Sequence, residues 1–168
     1  AAEMAEGARD AGLDRLAELF EKSPVALTLA DLSQPDAPLV VANTAFLDLT
    51  GYAREEVIGR NCRFLQDDLP NDDARAEART VLRHGGQGQI VFRNRRKDGA
   101  VFIAHESISA VSEDDGLPGR FVSVFNDVTH LRRQEERIRY MAYHDALTGL
   151  VGDGAARGHP PLWRHLHV

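Results

Sequence analysis

The sequence predicts an α+β domain, with one five-stranded antiparallel sheet that carries short helices on one face. Three observations predict this fold class. Two short β-type segments are followed by several helical segments and then by three longer β-type segments. Tight-turn residues, above all Asp98-Gly99, separate the later strands. A helical pattern flanks this domain on each side.

The N-terminal residues 1–22 predict an amphipathic helix. Its apolar residues recur at helical spacing along one face: Leu13, Leu16, Ala17 and Phe20. The periodic pattern covers residues 10–22, and Ser23-Pro24 ends it.

Residues 23–128 contain the predicted sheet domain. Its expected strands are 25–30, 38–42, 88–96, 100–111 and 119–127. Its expected helices are 44–50, between the cap Asn43 and Gly51, a short one from Ala53 to Gly59, and 71–83, which Asn71 or Asp72 caps.

The C-terminal part of the chain predicts a helix and then a tail. Residues 129–150 form an expected linker helix, whose apolar spacing favours pairing with a second copy of the chain. The positions with this spacing are Val128, Leu131, Ile138 and Ala142. Residues 151–168 lack periodicity and predict a disordered tail, in which His159, His165 and His167 do not indicate a metal site.

Composition excludes several classes of protein. A net charge of −6 over 168 residues argues against a basic face for nucleic acid. No apolar run approaches the length of a membrane span, and no signal segment opens the sequence. The single cysteine, Cys62, excludes an internal disulfide. We therefore expect a cytoplasmic protein that binds neither nucleic acid nor membrane.

Polar residues around Cys62 suggest a binding site. If residues 60–67 form a short helix, Cys62 and Gln66 lie one turn apart on one face. Asn61 and Leu65 then share the adjoining face, and Asn94 adds a second amide from the middle of a strand.

Three arginines strengthen this interpretation. Arg75 and Arg79 are four residues apart on a predicted helix, and with Arg63 they bring three guanidinium groups to one place. Guanidinium groups suit phosphate because they form two parallel hydrogen bonds with it. The alternative is that Cys62 is a small buried apolar residue and that the arginines are solvated.

Several motifs resemble the LOV branch of PAS domains, the blue-light receptors that bind flavin mononucleotide (FMN). The most specific is GRNCRFLQ at 59–66, and the resemblance extends over about residues 20–130. The other motifs are QPDAPLVVAN at 34–43, FLDLTGY at 46–52, EEVIG at 55–59, NRRKDG at 94–99 and NDVT at 126–129.

The resemblance implies a role for each candidate residue. Cys62 would be the thiol that forms a reversible adduct with flavin C4a. Asn61 and Gln66 would bind the ribityl chain and the ring edge, and Asn94 the pyrimidine edge. The phosphate would be held by Arg63, Arg75 and Arg79. The ring pocket would be lined by Thr28, Leu65, Ile108 and Phe121.

Three residues depart from the LOV pattern. Ala104 stands where the family has an asparagine, and Phe125 stands where it has the glutamine that relays the signal from flavin N5. Glu106 places a carboxylate where an apolar residue is usual. We expect these departures to weaken flavin binding and to change signal transduction more than photochemistry.

Residues 143–150, YHDALTGL, resemble the opening of a GGDEF diguanylate cyclase domain, but no cyclase active site follows. We therefore expect a photoreceptor module rather than an enzyme, a homodimer through its flanking helices, and an output domain that is absent or supplied by a longer receptor. Two alternatives are a PAS dimerisation scaffold that has lost flavin and a flavin redox sensor without adduct chemistry.

Overall fold

A computed structural model describes the backbone of residues 2–112 and 118–155 and the side chains of residues 11–111 and 119–149. The chain divides into two compact units, Ala1–Val128 and Thr129–Val168. The first unit contains the sheet, and the second contains the C-terminal helix.

Five antiparallel strands form one sheet, which confirms the predicted fold class. They are β1 (Ala26–Asp31), β2 (Leu39–Ala42), β3 (Gln87–Arg95), β4 (Val101–Ser112) and β5 (Pro118–Asp127). Their order across the sheet is β2-β1-β5-β4-β3. Each predicted strand agrees with its observed bounds within a residue or two, because turn residues limit the strands on both sides.

The helices follow the predicted order. They are α1 (Ala2–Lys22), α2 (Thr44–Thr50), α3 (Arg54–Val57), a 3₁₀ helix (Cys62–Gln66), α4 (Asp72–Arg83) and α5 (Thr129–Ala155). Within the described part of the chain, no helix is both long enough and apolar enough to cross a lipid bilayer.

One face of the sheet is buried against the helices between β2 and β3, and we call it the inner face. Burial alternates along the strands, so that Ile90, Phe92 and Asn94 of β3 are buried between exposed neighbours. Phe46 of α2 and Leu65 of the 3₁₀ helix are fully buried and join the same core. Each such side chain contributes roughly 1.5–3 kcal/mol by burial, which fixes the strand register because a slip of one residue would expose it.

The amide of Asn43 joins three elements. As predicted, Asn43 caps α2, and its Oδ1 accepts from the backbone N–H of Phe46 at 3.1 Å. The same oxygen accepts from Leu27 N of β1 at 2.9 Å. Its Nδ2 donates to the carbonyl oxygens of Phe20 at 3.0 Å and Val25 at 2.9 Å. The end of α1 is thereby bonded to the sheet.

Asn71 holds the start of α4 in an unexpected way. It occupies the cap position but makes no capping hydrogen bond with its side chain. Its Oδ1 instead accepts from Arg93 N, and its Nδ2 donates to Arg93 O, both at 2.9 Å. Asn71 therefore fixes α4 against β3.

Two expected helix bounds differ from the observed ones, whereas α1 (Ala2–Lys22) agrees with the expected helix 1–22. The short helix supposed at 60–67 is a 3₁₀ helix of five residues, and the Asn61 side chain caps its start by accepting from Arg63 N. The C-terminal helix continues through Gly149, Gly152 and Gly154 to Ala155, five residues past its predicted end, and each helical glycine costs only about 1 kcal/mol. The rest of the predicted tail lies outside the described residues.

Candidate functional site

A cavity of about 190 Å³ lies between the inner face, the 3₁₀ helix and α4. It contains most of the residues predicted for the site. Those in its wall are Asn61, Cys62, Arg63, Gln66, Arg75, Arg79, Ile108 and Phe121. The wall also contains Glu106, whose departure from the LOV pattern was noted in the sequence.

Cys62 opens the 3₁₀ helix and is half-buried. Burial raises the pKa of its thiol well above the ordinary value, and Glu106 raises it further in the pH range where that carboxyl is ionised. Cys62 is therefore a neutral thiol at neutral pH, which packs against apolar side chains more readily than a thiolate does.

Gln66 closes the same helix and is buried. Arg75 of α4 donates from Nη2 to the Gln66 backbone oxygen at 2.9 Å and from Nε to its Oε1 at 3.3 Å. The two bonds leave the Gln66 side-chain NH₂ group as a donor beside the cavity.

The three arginines line one end of the cavity, as their spacing predicted. Arg63 forms an ion pair with Asp36, and Arg79 is exposed. Arg75 is half-buried against Gln66. Among the residues that the structure describes, Asp36 is the one carboxylate that pairs with these three guanidinium groups, which suit a dianionic group such as a phosphate.

Asp36 contacts Asn61 and Arg63, which the sequence did not indicate. Its carbonyl oxygen accepts from Asn61 Nδ2 at 2.6 Å, and Asn61 Oδ1 accepts from Arg63 N at 2.9 Å. Asp36 and Ala37 have φ values of 70° and 45°, which are unusual for residues with a side chain. The loop after β1 thus holds Asn61 and Arg63 in place.

Four predicted site residues are buried but lie outside the cavity wall: Thr28, Leu65, Asn94 and Phe125. Phe125 packs edge-on against Phe46, with ring centroids 5.1 Å apart. Among the described residues, Thr28 Oγ1 and Asn94 Oδ1 have no hydrogen-bond partner. Buried polar atoms of this kind are rare in folded proteins, and a polar ligand on the inner face would satisfy them.

Glu106 is the buried acidic group of the site. Only 4% of it is exposed, and burial raises the pKa of its carboxyl to about 8. Asn94 Nδ2 donates to Glu106 Oε1 at 2.9 Å, which lowers the pKa only in part. Glu106 is therefore mostly protonated at neutral pH.

Several wall residues were missed in the sequence. The period of a strand could have identified two of them. Ser123 lies between Phe121 and Phe125 on one face of β5, and Phe92 lies between Ile90 and Asn94 on one face of β3. Ala78 and Leu82 lie three residues beyond Arg75 and Arg79 on one helix face. The described residues contain no group of His, Cys, Asp and Glu that could hold a metal ion.

Comparisons with known proteins identify the family of this chain. A family model described as a PAS domain matches residues 24–130. A blue-light-activated histidine kinase of Rhizobium johnstonii is 39% identical over 116 residues, which are 69% of this chain and 34% of the kinase. A blue-light photoreceptor of Listeria monocytogenes is 34% identical over 116 residues, 69% of this chain and 46% of the relative.

Solved structures of LOV proteins are also similar to this chain. An RNA-binding light-oxygen-voltage receptor has a TM-score of 0.72 at 34% identity, covering 81% of this chain and 38% of that one. The LOV domain of the EL346 histidine kinase from Erythrobacter litoralis has a TM-score of 0.61 at 35% identity, covering 64% of this chain and 99% of that domain. This chain thus spans less than half of the two curated relatives but matches an isolated domain in full.

Proposed function

Because the chain belongs to the PAS domain family and to its LOV branch, we propose that it senses blue light with FMN held in the cavity described above. The observation that carries this proposal is the meeting of the Cys62 thiol, the Gln66 amide and three arginines around one cavity. The unpartnered Thr28 Oγ1 and Asn94 Oδ1 support it, because they fit a heterocycle with its own donors and acceptors.

Different residues of the cavity bind different parts of the ligand. Arg63, Arg75 and Arg79 bind the phosphate through charge-assisted hydrogen bonds. Gln66 directs its NH₂ group to the polar chain or the ring edge, and Ile108 and Phe121 cover the ring on the sheet side.

Cys62 supplies the reactive group. Bound flavin would supply the absorption of blue light and an electrophilic carbon. Cys62 would supply the thiol for a reversible bond to that carbon, and its S–H proton would be available to the ring when the bond forms and would return to sulfur when it breaks. The raised pKa of Cys62 keeps that proton on sulfur before illumination.

Absorption spectra of the purified protein before and after blue light test this proposal. We expect a yellow protein whose flavin band bleaches reversibly, and Cys62→Ala should keep the dark band but lose the bleaching. Cys62→Ser is the control for size and polarity. A colourless protein would support the scaffold alternative, and unchanged bleaching in Cys62→Ala would exclude the adduct.

The assembly is a further part of the proposal. We infer a homodimer through α1 and α5, because both helices expose several large apolar side chains. The signal passes through these helices to an output domain in a longer receptor, and the chain itself performs no catalytic turnover.

A further inference from the structure

Glu106 has no role in the function proposed above, although it lies in the wall of the same cavity. Its position follows from the register of two strands. In the ladder of β4 and β5, Glu106 is directly opposite Phe125, and both side chains point to the inner face. Side chains that are opposite in an antiparallel pair lie within contact distance. Glu106 therefore brings a carboxyl of the cavity wall to the inner-face position beside Phe125.

The inner-face neighbours of Glu106 on β4 lack polar atoms. Ala104 and Ile108 precede and follow Glu106 on the same face of β4. Phe125 has no hydrogen-bonding atom in its side chain. Together with the Ser123 hydroxyl on β5, the hydrogen-bonded pair of Glu106 and Asn94 supplies the polar atoms of this part of the inner face.

Glu106 and Asn94 each have a hydrogen-bonding atom that their mutual bond does not use. Asn94 Nδ2 donates to Glu106 Oε1, while Asn94 Oδ1 is buried and has no partner among the described residues. A protonated carboxyl has one O–H donor and one carbonyl acceptor, so it offers the same two functions as a primary amide. Small rotations of such a group exchange the function that it presents to a ligand.

We propose that Glu106, as a neutral carboxylic acid, hydrogen-bonds the reactive edge of the flavin ring and changes that hydrogen bond in the light. This inference rests on the flavin binding proposed above. When flavin N5 changes from acceptor to donor, the Glu106 carboxyl changes from offering its O–H to offering its carbonyl oxygen, and no proton leaves Glu106. The hydrogen bond from Asn94 changes with it, because Asn94 Nδ2 donates to the same carboxyl.

The surrounding charges are compatible with a neutral Glu106. The other titratable or charged groups of the cavity wall are Cys62, Arg63, Arg75 and Arg79. Arg63 is paired with Asp36, and Arg75 is bonded to Gln66. Burial is the main cause that keeps the pKa of Glu106 near 8, and it acts whether or not these arginines are bound to phosphate.

Infrared difference spectra, light minus dark, test the inference on the flavin-loaded protein. In the parent we expect a light-induced shift of the C=O stretch of a protonated carboxylic acid. That signal should be lost in Glu106→Gln and in Glu106→Leu. It should remain in Glu55→Gln, a matched change of an exposed glutamate on α3.

A second measurement uses the unmodified parent. The dark flavin band should shift as pH rises through about 8, and Glu106→Gln should remove this titration while otherwise resembling the parent. Glu106→Leu should shift the dark band at every pH.

The outcomes separate the two proposals. A yellow, reversibly bleaching parent whose carboxylic signal survives in Glu106→Gln would overturn the role of Glu106 alone. A colourless parent would overturn flavin binding and, with it, this inference. Loss of the signal and of the titration in Glu106→Gln, with bleaching retained, supports both.

Discussion

At the scale of single residues, the buried carboxyl of Glu106 links the stability of the sheet domain to pH. Its pKa is about 8 in the folded chain against an ordinary value of 4.5. Between these two values the folded state binds more protons than the unfolded state. The free energy of unfolding therefore falls as pH rises from 4.5 to 8 and levels off above that, because the charged form is the one that burial penalises.

We predict that Glu106→Gln removes this dependence. At about 1.4 kcal/mol per pKa unit, the contribution amounts to a few kcal/mol across the whole interval. Urea unfolding at about pH 5 and about pH 8 measures this dependence. The free energy of unfolding of Glu106→Gln, relative to that of the parent, should be higher at the higher pH. Glu55→Gln is the control, and a parent and Glu106→Gln with the same pH slope would contradict the prediction.

Arg79 gives a second prediction, on the phosphate end of the cavity. Arg79→Ala should weaken FMN about tenfold or more and leave riboflavin, which lacks the phosphate, nearly unchanged, since hydrogen bonds to charged groups contribute about 1.5–3 kcal/mol. Arg83→Ala, one turn further along α4 and outside the cavity wall, is the control. Titrations of the apoprotein with both flavins measure the difference, and equal losses would refute the phosphate assignment.

Most of the candidate site could be predicted at this scale, but its internal bonds could not. Helical spacing related Gln66 to Cys62 and Arg79 to Arg75, and the comparison with the LOV pattern singled out Glu106. The ion pair of Arg63 with Asp36 was missed, because it depends on positive φ values at Asp36 and Ala37 in a loop. Neither residue type signals that conformation as glycine would.

At the scale of elements, α4 and β3 approach each other closely at Gly88. A Cβ atom added at Gly88 would lie 2.6 Å from Val81 Cγ2, well inside van der Waals contact. Val81 is stiff because it is branched at Cβ, so it cannot move away at low cost. Gly88 therefore sets how near α4, with Arg75 and Arg79, lies to the sheet.

We predict that Gly88→Ala destabilises the domain by about 1–3 kcal/mol and weakens FMN binding, because α4 must shift outward. Val81→Ala in the same chain should recover most of the loss, as a double-mutant cycle by urea unfolding would measure. Gly86→Ala is a matched control, since its added Cβ would make only an ordinary contact at 3.8 Å. Destabilisation that Val81→Ala leaves unrelieved would point to the backbone of β3 instead.

The sequence located the strands, but it did not determine the type of the short helix at Cys62–Gln66 or the end of α5. Alternation and turn residues located all five strands, because each strand has one buried face. The short helix supposed at 60–67 is a 3₁₀ helix over Cys62–Gln66, and five residues are too few for the sequence to distinguish the two helical periods. The end of α5 was misplaced because a glycine lowers helix stability without forbidding the helix.

At the scale of the whole molecule, the two flanking helices expose apolar side chains. On α1, Leu13, Leu16 and Leu19 are each at least 60% exposed. On α5, Leu131 and Ile138 are seven residues apart and also exposed, which is the spacing of a coiled-coil seam. Each unit of the chain thus carries apolar surface that association would bury.

We predict a dimer at micromolar concentration in the dark or in the light, measured by light scattering after size-exclusion chromatography. Ile138→Glu should shift the chain towards monomer, because it places a charge in the seam. Arg133→Glu makes a comparable change on the opposite side of α5 and should leave the dimer intact. A parent that is monomeric in both conditions would remove the proposed assembly.

The four hydrogen bonds of Asn43 have a mechanical consequence. They use both N–H groups and both acceptor positions of one amide, and they join the end of α1 to β1 and α2. A force along α1 therefore reaches the sheet through this side chain as well as through the connecting residues Ser23 and Pro24. The last turn of α1 cannot be displaced alone while these bonds hold, so any displacement is shared by β1, which carries Thr28 on the inner face. In mechanical terms, the end of α1 is a stiff extension of the sheet and not a freely hinged arm.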